Sequence, residues 1–225
     1  IPRIGQRFRI PIDFNIVEYF GRGPEENYWD RNNGSHISRY KSFVDDFYYP
    51  YVRPQENGHH IDVRWFSVEN KDGKGLLIVA NENNENKEVF EFNELRNTIE
   101  DFDDEEQTQL PRQWNNFEDC FHRPEKHCNQ NENNAKNNLK RQHHINDVIP
   151  QNFVEINIDF KMMGIAGFNS WGDRPLSEYT LSSKANYSYS FNIIPINNAD
   201  EIEDKIKNSY LEVDRICTYI APKSS

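Results

Sequence analysis

The sequence predicts a mainly β protein whose antiparallel strands pack as a sandwich or barrel. Over residues 1 to about 95, short segments alternate polar and apolar residues, and clusters of Gly, Pro and Asn separate them. No long helical pattern intervenes, which is typical of all-β folds. The aromatic content of 13%, within a hydrophobic total of 36%, fits the same fold because Tyr, Phe and Trp pack well on pleated sheets.

Six segments carry the strand pattern and two carry a helical one. The predicted strands are Arg7–Ile12, Asn15–Phe20, Val63–Val68, Gly75–Ala80, Phe153–Phe160 and Tyr187–Ile194. A short helix is expected over Phe92–Phe102. From Ala199 onward, apolar residues recur at helical spacing and predict a C-terminal amphipathic helix: Ile202, Ile206, Val213, Cys217 and Ile220.

Composition divides the chain into a β domain and a tail. Residues 1–197 form the predicted domain, with a surface insertion at about 96–142, and residues 198–225 form a helical tail. The insertion is acidic and then rich in Asn, so it buries too little apolar area to offset its ordering entropy.

Charge and cysteine content exclude several classes of function. A formal net charge of -11 argues against nucleic acid and anionic membranes as partners. Three Cys do not make a disulfide framework. The insertion contains a cluster of four residues: Cys120, His122, His127 and Cys128. The cluster could be a metal site, a disulfide between the two Cys residues or a set of inert loop thiols, and its spacing matches no common zinc module. The doublets His59-His60 and His143-His144 are interpreted as surface or structural residues rather than ligands.

Two dense motifs combine turn residues with charges of both signs, which suggests loops held by Arg–carboxylate pairs. The residues predicted to act as structural loop clamps are Arg22, Glu26, Asn27, Asp30 and Arg31 in the first motif, and Arg53, Glu56 and Asn57 in the second. Direct contact with a ligand is the alternative.

A third motif places Trp171 in a glycine-flanked loop that follows the strand at Phe153–Phe160. An exposed indole there would stack on the apolar face of a hexose, with Phe168 and Asn169 beside it; packing of the loop itself is the other interpretation. Glycosidase chemistry needs two converging carboxylates. The sequence alone does not show any two of them converging, so no catalytic residue is assigned.

These motifs, in this order, resemble the small-chain domain of glycoside hydrolase family 2 β-galactosidases. The matching segments are Gly21–Arg31, Tyr49–Gly58, Asp62–Trp65, Ile156–Asp159, Met163-Gly164 and Ser170–Gly172. The resemblance implies domain 5 of that enzyme, an antiparallel supersandwich like galactose mutarotase. It implies retaining hydrolysis of terminal β-galactosides by a whole enzyme whose TIM barrel or large subunit carries both catalytic Glu residues. Trp171 would then reach the sugar from this segment. No metal or other cofactor is expected here, and any Mg or Na ions belong to other domains.

The sequence departs from the family pattern at several points. Ala166–Asn169 replaces an acidic version of the loop, and Trp29 stands where Pro is usual. The chain is expected to begin partway into the supersandwich. These departures keep open a stand-alone carbohydrate-binding or interaction module, and, by fold analogy, a mutarotase-like enzyme that would need a His and a carboxylate in a cleft. Homo-oligomerisation and the choice between cytoplasm and periplasm are also left open.

Overall fold

The computed structural model describes residues 1–83, 86–87, 89–102, 144–167, 169 and 174–209. Two antiparallel sheets dominate these residues, and a single α-helix follows them. The predicted mainly β, antiparallel sandwich with a C-terminal helix is therefore confirmed.

The first sheet has four strands, and all of its pairings are antiparallel. In spatial order the strands are β1 (Arg3–Pro11), β10 (Phe153–Met162), β9 (Phe90–Leu95) and β4 (His59–Val63). Residues on both faces of β9 and on most of β10 are buried, so these two central strands carry few exposed positions.

The second sheet has five antiparallel strands. In spatial order they are β11 (Phe191–Ile196), β6 (Gly75–Ala80), β5 (Trp65–Glu69), β2 (Ile16–Gly23) and β3 (His36–Phe43). A separate two-stranded ribbon pairs β7 (Glu82–Asn83) with β8 (Asn86–Lys87).

Aromatic side chains fill the core between the two sheets. Phe92 of β9 stacks on Phe66 of β5 with ring centroids 4.7 Å apart. Tyr19 of β2 meets His60 of β4 edge-on at 4.9 Å. These rings alternate with residues that point to the opposite faces, as strand geometry requires, and their burial supplies much of the hydrophobic stabilisation.

The helix, α1 (residues 202–209), packs on the outer face of the second sheet. Ile202 is buried in a cluster with Trp65, Leu77, Val79 and Ile196. The predicted helical period is thus confirmed for these eight positions, while Val213, Cys217 and Ile220 lie outside the described residues.

Two sequence predictions about strands and helices were wrong, and strand β3 was not predicted. The helix expected over Phe92–Phe102 is strand β9 followed by a short 3-10 turn at Ile99–Phe102. Strand β3 was missed because most of its side chains are exposed and its sequence shows no apolar alternation. The strand expected over Tyr187–Ile194 begins only at Phe191, where pairing with Ala80 starts.

The chain divides into two compact units. The first comprises Ile1–Tyr49, Glu56–Thr98 and Pro150–Ser225 and holds both sheets. The second comprises Pro50–Gln55 and Ile99–Ile149, and its described part includes a 3-10 turn at Ile145–Asp147. Within the described ranges, no helix is long and apolar enough to cross a membrane.

Candidate functional site

The last residue of β10 and the segment that follows it are held by five consecutive backbone amides. The N–H groups of residues 162 to 166 donate in turn to the Glu91 carboxylate at 2.7 Å, the Pro2 carbonyl at 2.9 Å, the Tyr179 carbonyl at 2.8 Å, and the two Asp30 oxygens at 3.1 and 2.7 Å. Amides at a strand end otherwise need water or another partner. Four separate chain segments thus fix the start of the loop predicted to carry Trp171.

Asp30 supplies the two outermost of these contacts. Its Oδ1 accepts from Ile165 and its Oδ2 accepts from Ala166, so both carboxylate oxygens are used by backbone N–H groups. Bonds from amides to an ionised carboxylate are stronger than those to a neutral acceptor. Asp30 itself lies in a tight turn, because Tyr28 and Arg31 exchange backbone hydrogen bonds across it at 2.9 and 3.0 Å.

Gly164 makes the approach of Asp30 sterically feasible. A Cβ atom at position 164 would lie 2.5 Å from Oδ2 of Asp30 and 2.9 Å from Cβ of Tyr179. Both separations are far below van der Waals contact, so any side chain there would push the carboxylate away from the loop. The glycine and the aspartate, from two distant motifs, therefore form one structural unit.

A partly buried aromatic group lies beside this anchored segment. The Lys161 ammonium stands 3.7 Å from the centroid of the Trp29 ring, a cation–π contact. The Tyr179 ring meets Trp29 edge-on with centroids 5.6 Å apart. Trp29, Lys161 and Tyr179 each keep part of their surface exposed, so this group borders solvent.

Beneath the segment lies a buried histidine–carboxyl pair. Nε2 of His59 is 3.0 Å from Oε2 of Glu91, and the ring of Tyr28 stacks on His59 at 5.4 Å. Burial lowers the pKa of His59 to about 4 and raises the pKa of Glu91 to about 8. Both groups are therefore neutral near pH 7, and their contact is a hydrogen bond between neutral groups rather than a salt bridge.

An ion pair lies next to this neutral pair. Nε of Arg3 lies 2.9 Å from Oδ2 of Asp159, and Nη2 of Arg3 lies 3.0 Å from Oε1 of Glu56. The Arg3–Asp159 contact is close but poorly aligned, since neither of its two atoms completes a hydrogen bond with any described residue. Burial raises the pKa of Asp159 to about 6, so the carboxylate is largely ionised near pH 7.

The comparisons with known proteins point to one family. A family model described as β-galactosidase small chain matches residues 1–193. This chain belongs to the β-galactosidase small-chain family.

Individual relatives match most or part of the chain. It is 28% identical to a protein named β-galactosidase from Priestia megaterium over 196 residues, which is 87% of this chain and 15% of that protein. The figures for a β-galactosidase from Streptococcus thermophilus are the same. A β-galactosidase from Arthrobacter sp. is 35% identical over 79 residues, which is 35% of this chain and 8% of that protein. The chain thus spans about 15% of the length of the first two relatives.

The first small-chain motif makes several clamp-like contacts. Glu26 pairs with Arg31 and accepts from the Gly58 amide at 2.8 Å, which links this motif to the second. Asn27 accepts from the Ile61 amide at 3.0 Å and donates to the carbonyl groups of Arg22 and Glu25. Arg22 pairs with Asp62, a residue of left-handed backbone conformation with φ 56°, at the bulge in β4.

The second motif is divided between the two units. In the first unit, Glu56 pairs with Arg3, and the side chain of Asn57 accepts from the Tyr49 amide at 3.1 Å. Arg53 belongs to the second unit, where it is exposed. The clamp role of the eight residues stays a prediction.

Two of the three residues predicted to face the sugar lie outside the residues that the structure describes. Trp171 and Phe168 lie outside the described residues, as do Cys120, His122, His127, Cys128 and His143. Asn169 is described and exposed. His59 and His60 are fully buried, which fits the structural interpretation and not the surface one. In the described ranges, no group of three His, Cys, Asp or Glu side chains is arranged to hold a metal ion.

Sequence reasoning missed the partners that fix the loop. Asp30 was predicted as a clamp, but nothing in the sequence indicated that it would bind residues 165 and 166. Lys161, Tyr179 and the His59–Glu91 pair were not singled out. The one local signal was Gly164, two positions after the end of a strand, where a glycine marks a close approach by another group.

Proposed function

We propose that this chain is the domain 5 region of a glycoside hydrolase family 2 β-galactosidase, with the supersandwich fold of galactose mutarotase. In this proposal it helps to bind terminal non-reducing β-D-galactose in an active site whose catalytic Glu pair lies in a TIM barrel or large subunit. Membership of the small-chain family supports the proposal, and so do relatives named β-galactosidase that are several times longer than this chain. The observation that carries it is the anchored segment 162–166.

The carboxyl groups nearest this segment are occupied by structural contacts. Asp30 uses both oxygens on backbone amides, and Glu91 is buried against His59 and the Met162 amide. Retaining hydrolysis needs an acid and a nucleophile about 5–5.5 Å apart on either side of the scissile bond. Because neither group is available to a sugar, the proposal assigns the catalysis to another part of the enzyme.

Trp171 has the role of an aromatic platform in this proposal, with Phe168 and Asn169 beside it. An indole ring offers a flat apolar face to the C–H groups of a hexose. Trp171 follows the anchored Ala166 by about five positions in the sequence, and in this proposal the anchored segment is the base of the platform. A preorganised platform loses little conformational freedom when the sugar binds.

The test compares Trp171→Ala and Trp171→Phe in the complete enzyme with nitrophenyl β-galactoside as substrate. We expect the Ala variant to raise KM about tenfold or more, and the Phe variant to retain much of the affinity because it keeps a ring. The isolated chain is expected to give no turnover. Equal KM values for wild type and Trp171→Ala, or hydrolysis by the isolated chain, would contradict the proposal.

A stand-alone carbohydrate-binding or interaction module is the second candidate. It is favoured by Phe168 and Asn169, which replace the acidic version of the loop, and by the solvent-bordering group of Trp29, Lys161 and Tyr179. Titration of the isolated chain with galactose, lactose and galactan, followed by tryptophan fluorescence, tests it. The absence of a response at high millimolar sugar would count against this candidate.

The mutarotase-like alternative needs a His and a carboxylate in a cleft. His59 and Glu91 form a His–carboxyl pair, but both side chains are buried in the protein. His59 is 0% exposed and Glu91 is 6% exposed. A sugar cannot reach the His59 ring nitrogens or the Glu91 carboxyl oxygens in this arrangement, so this pair does not support the mutarotase-like alternative.

A further inference from the structure

We propose that the outer edge of β1 and the apolar groove beside it receive a β-strand from the part of a β-galactosidase that lies outside this chain. That strand would direct apolar side chains towards the groove and Asp or Glu side chains to its other face. The proposal rests on the proposed function, because it takes the rest of the longer enzyme as the partner. The residues that form this surface all belong to the first compact unit.

The strand β1 lies at the edge of the first sheet. Among the residues that the structure describes, β10 is the only strand that pairs with β1, so the opposite edge of β1 faces no strand. After a bulge at Ile4 and Gly5, the register is continuous to Pro11. A regular stretch of this length can bind a further strand, and an unpaired sheet edge is a template for one.

The other edges of the two main sheets are less suited to strand addition. A bulge interrupts β4, and β11 contains Pro195, which has no N–H to donate. In β3 the residues on the core side are Ser38, Tyr40 and Ser42, so a partner strand would find little apolar surface to bury there. Strand addition is therefore favoured at β1.

An apolar groove of about 300 Å³ opens beside β1. Its lining includes Ile10 of β1, Leu76 of β6 and Ile196 of β11. Phe8, on the same face of β1 as Ile10, is also only partly buried. Ile193 of β11 lies on the core side of its sheet and is nevertheless 51% exposed. A strand added to β1 would cover part of this apolar surface, and such burial drives association.

The charges of β1 indicate the chemistry of the partner strand. β1 contains Arg3, Arg7 and Arg9 and no acidic residue, although the chain has a formal net charge of -11. On the β10 side, Glu155 pairs with Arg7 at 3.4 Å and with Arg9 at 2.9 Å. The two arginine side chains are still 41% and 52% exposed. Acidic side chains on an added strand would therefore be attracted to them across the outer edge, and lysines would be repelled.

The first measurement is the binding of synthetic peptides to the full chain by isothermal titration calorimetry. The peptides have nine residues, the length of β1. A peptide that alternates Val and Glu is expected to bind, and the same peptide with Lys in place of Glu should bind at least about tenfold more weakly. N-methylation of alternate amides removes the backbone donors and should abolish binding. Equal affinities for the Glu and Lys peptides, or no binding of the Glu peptide at millimolar concentration, would overturn the proposal.

Substitutions in the chain locate the surface that binds the peptide. Arg9→Gln should reduce the preference for the Glu peptide over the Lys peptide by about threefold or more, because one cation is lost. Ile10→Ala should weaken the binding of both peptides, because it removes apolar surface from the groove. Lys41→Gln is the control, since the 57% exposed Lys41 lies on the edge strand β3. An equal loss of preference in Arg9→Gln and Lys41→Gln would overturn the assignment to β1. If Ile10→Ala does not fold, the other two variants decide the question.

Amide hydrogen exchange over residues 5–10 identifies the source of the strand. The amides on the outer edge should exchange at least about tenfold more slowly in the complete enzyme than in the isolated chain. Equal exchange in both would overturn the proposal. A dimer of the isolated chain in sedimentation that dissociates when the Glu peptide is added would assign the edge to a second copy, and would overturn it as well.

The proposed function has its own test in the kinetics of Trp171→Ala. An unchanged KM in that variant, together with slow exchange of β1 in the complete enzyme, would remove the proposed sugar contact and support the strand contact. A raised KM together with equal exchange of β1 would support the proposed function and overturn the strand contact. The two failures are therefore distinguishable.

Discussion

Nε2 of His59 lies 3.0 Å from Oε2 of Glu91, and neither residue has appreciable contact with solvent. The same carboxyl oxygen accepts the Met162 amide at 2.7 Å. The pair therefore connects β4 and β9 to the last residue of β10, directly below the anchored segment. Because both groups are held neutral by burial, their protonation is coupled to folding.

We predict that stability falls with rising pH because of Glu91. Its folded-state pKa of about 8 lies above the ordinary 4.5, so the native state binds more protons over this interval and stability declines as pH rises through it. Glu91→Gln removes this titration and keeps an acceptor for Met162. Denaturant unfolding at pH 6 and pH 9 should show a smaller loss for Glu91→Gln, by on the order of 2 kcal/mol.

The histidine of the pair acts in the opposite direction. The folded-state pKa of His59 is about 4, below 6.5, so its contribution is complete above about pH 6.5 and declines as pH falls towards 4. Glu91→Gln should therefore leave the acid-side decline in place. An identical pH 6 to pH 9 difference in wild type and Glu91→Gln would show that Glu91 is ionised in the folded protein.

We predict that Glu94, at its buried position in β9, lowers the free energy of unfolding. It is fully buried, and neither of its carboxyl oxygens has a hydrogen-bond partner among the described residues. Strand alternation places it on the same inward face as Phe92, opposite Ile156 of β10, and burial raises its pKa well above 4.5. Glu94→Leu should raise the free energy of unfolding by about 1–3 kcal/mol at pH 7.

The pH dependence of the Glu94 variants provides the control. A raised folded-state pKa means that stability is lost as pH rises, so the gain in Glu94→Leu should be larger at pH 8 than at pH 5. Glu94→Gln removes the charge at constant size and should share this trend. A lower unfolding free energy for Glu94→Leu at both pH values would contradict the prediction.

The local sequence pattern predicted strands whose own residues show which positions are buried. The bounds predicted for β6, Gly75–Ala80, match the structure because an apolar run follows the turn at Gly73, where φ is 74°. The helix predicted over Phe92–Phe102 overlaps β9, where the polar residues Asn93 and Glu94 are buried like their apolar neighbours. Burial on both faces of a strand is decided by neighbouring strands, which a local pattern does not contain.

In the site, too, a contact within one motif could be predicted from the sequence, whereas a contact between distant segments could not. The Arg–carboxylate character of the first motif was visible in the sequence, and Glu26 and Arg31 do pair over a separation of five residues. The contact of Asp30 with Ala166 spans 136 positions and depends on how β10 ends beside the Tyr28–Arg31 turn. Spacing within one motif carries no information about such a partner.

We predict that α1 is held mainly by Ile202. This side chain is 2% exposed and packs with Trp65 and Ile196 on the outer face of the second sheet. Ile202→Ala should lower the free energy of unfolding by about 2–4 kcal/mol through lost burial and a residual cavity. Exposed Asp204→Ala, in the same helix, is the control and should change it by less than about 0.5 kcal/mol. Equal effects of the two substitutions in denaturant unfolding would contradict this assignment.

We predict that Glu26 contributes more to stability than an exposed glutamate paired with an arginine. The Glu26 side chain is 2% exposed and accepts from the Gly58 amide, which is itself buried. Glu26→Ala leaves that N–H without its acceptor and should lower the free energy of unfolding by about 3 kcal/mol. Glu203 pairs with Arg39 but is 57% exposed, so Glu203→Ala should cost no more than about 0.5 kcal/mol. Similar losses for both variants in denaturant unfolding would mean that the ion pair, and not the buried amide contact, is what stabilises the turn that carries Asp30.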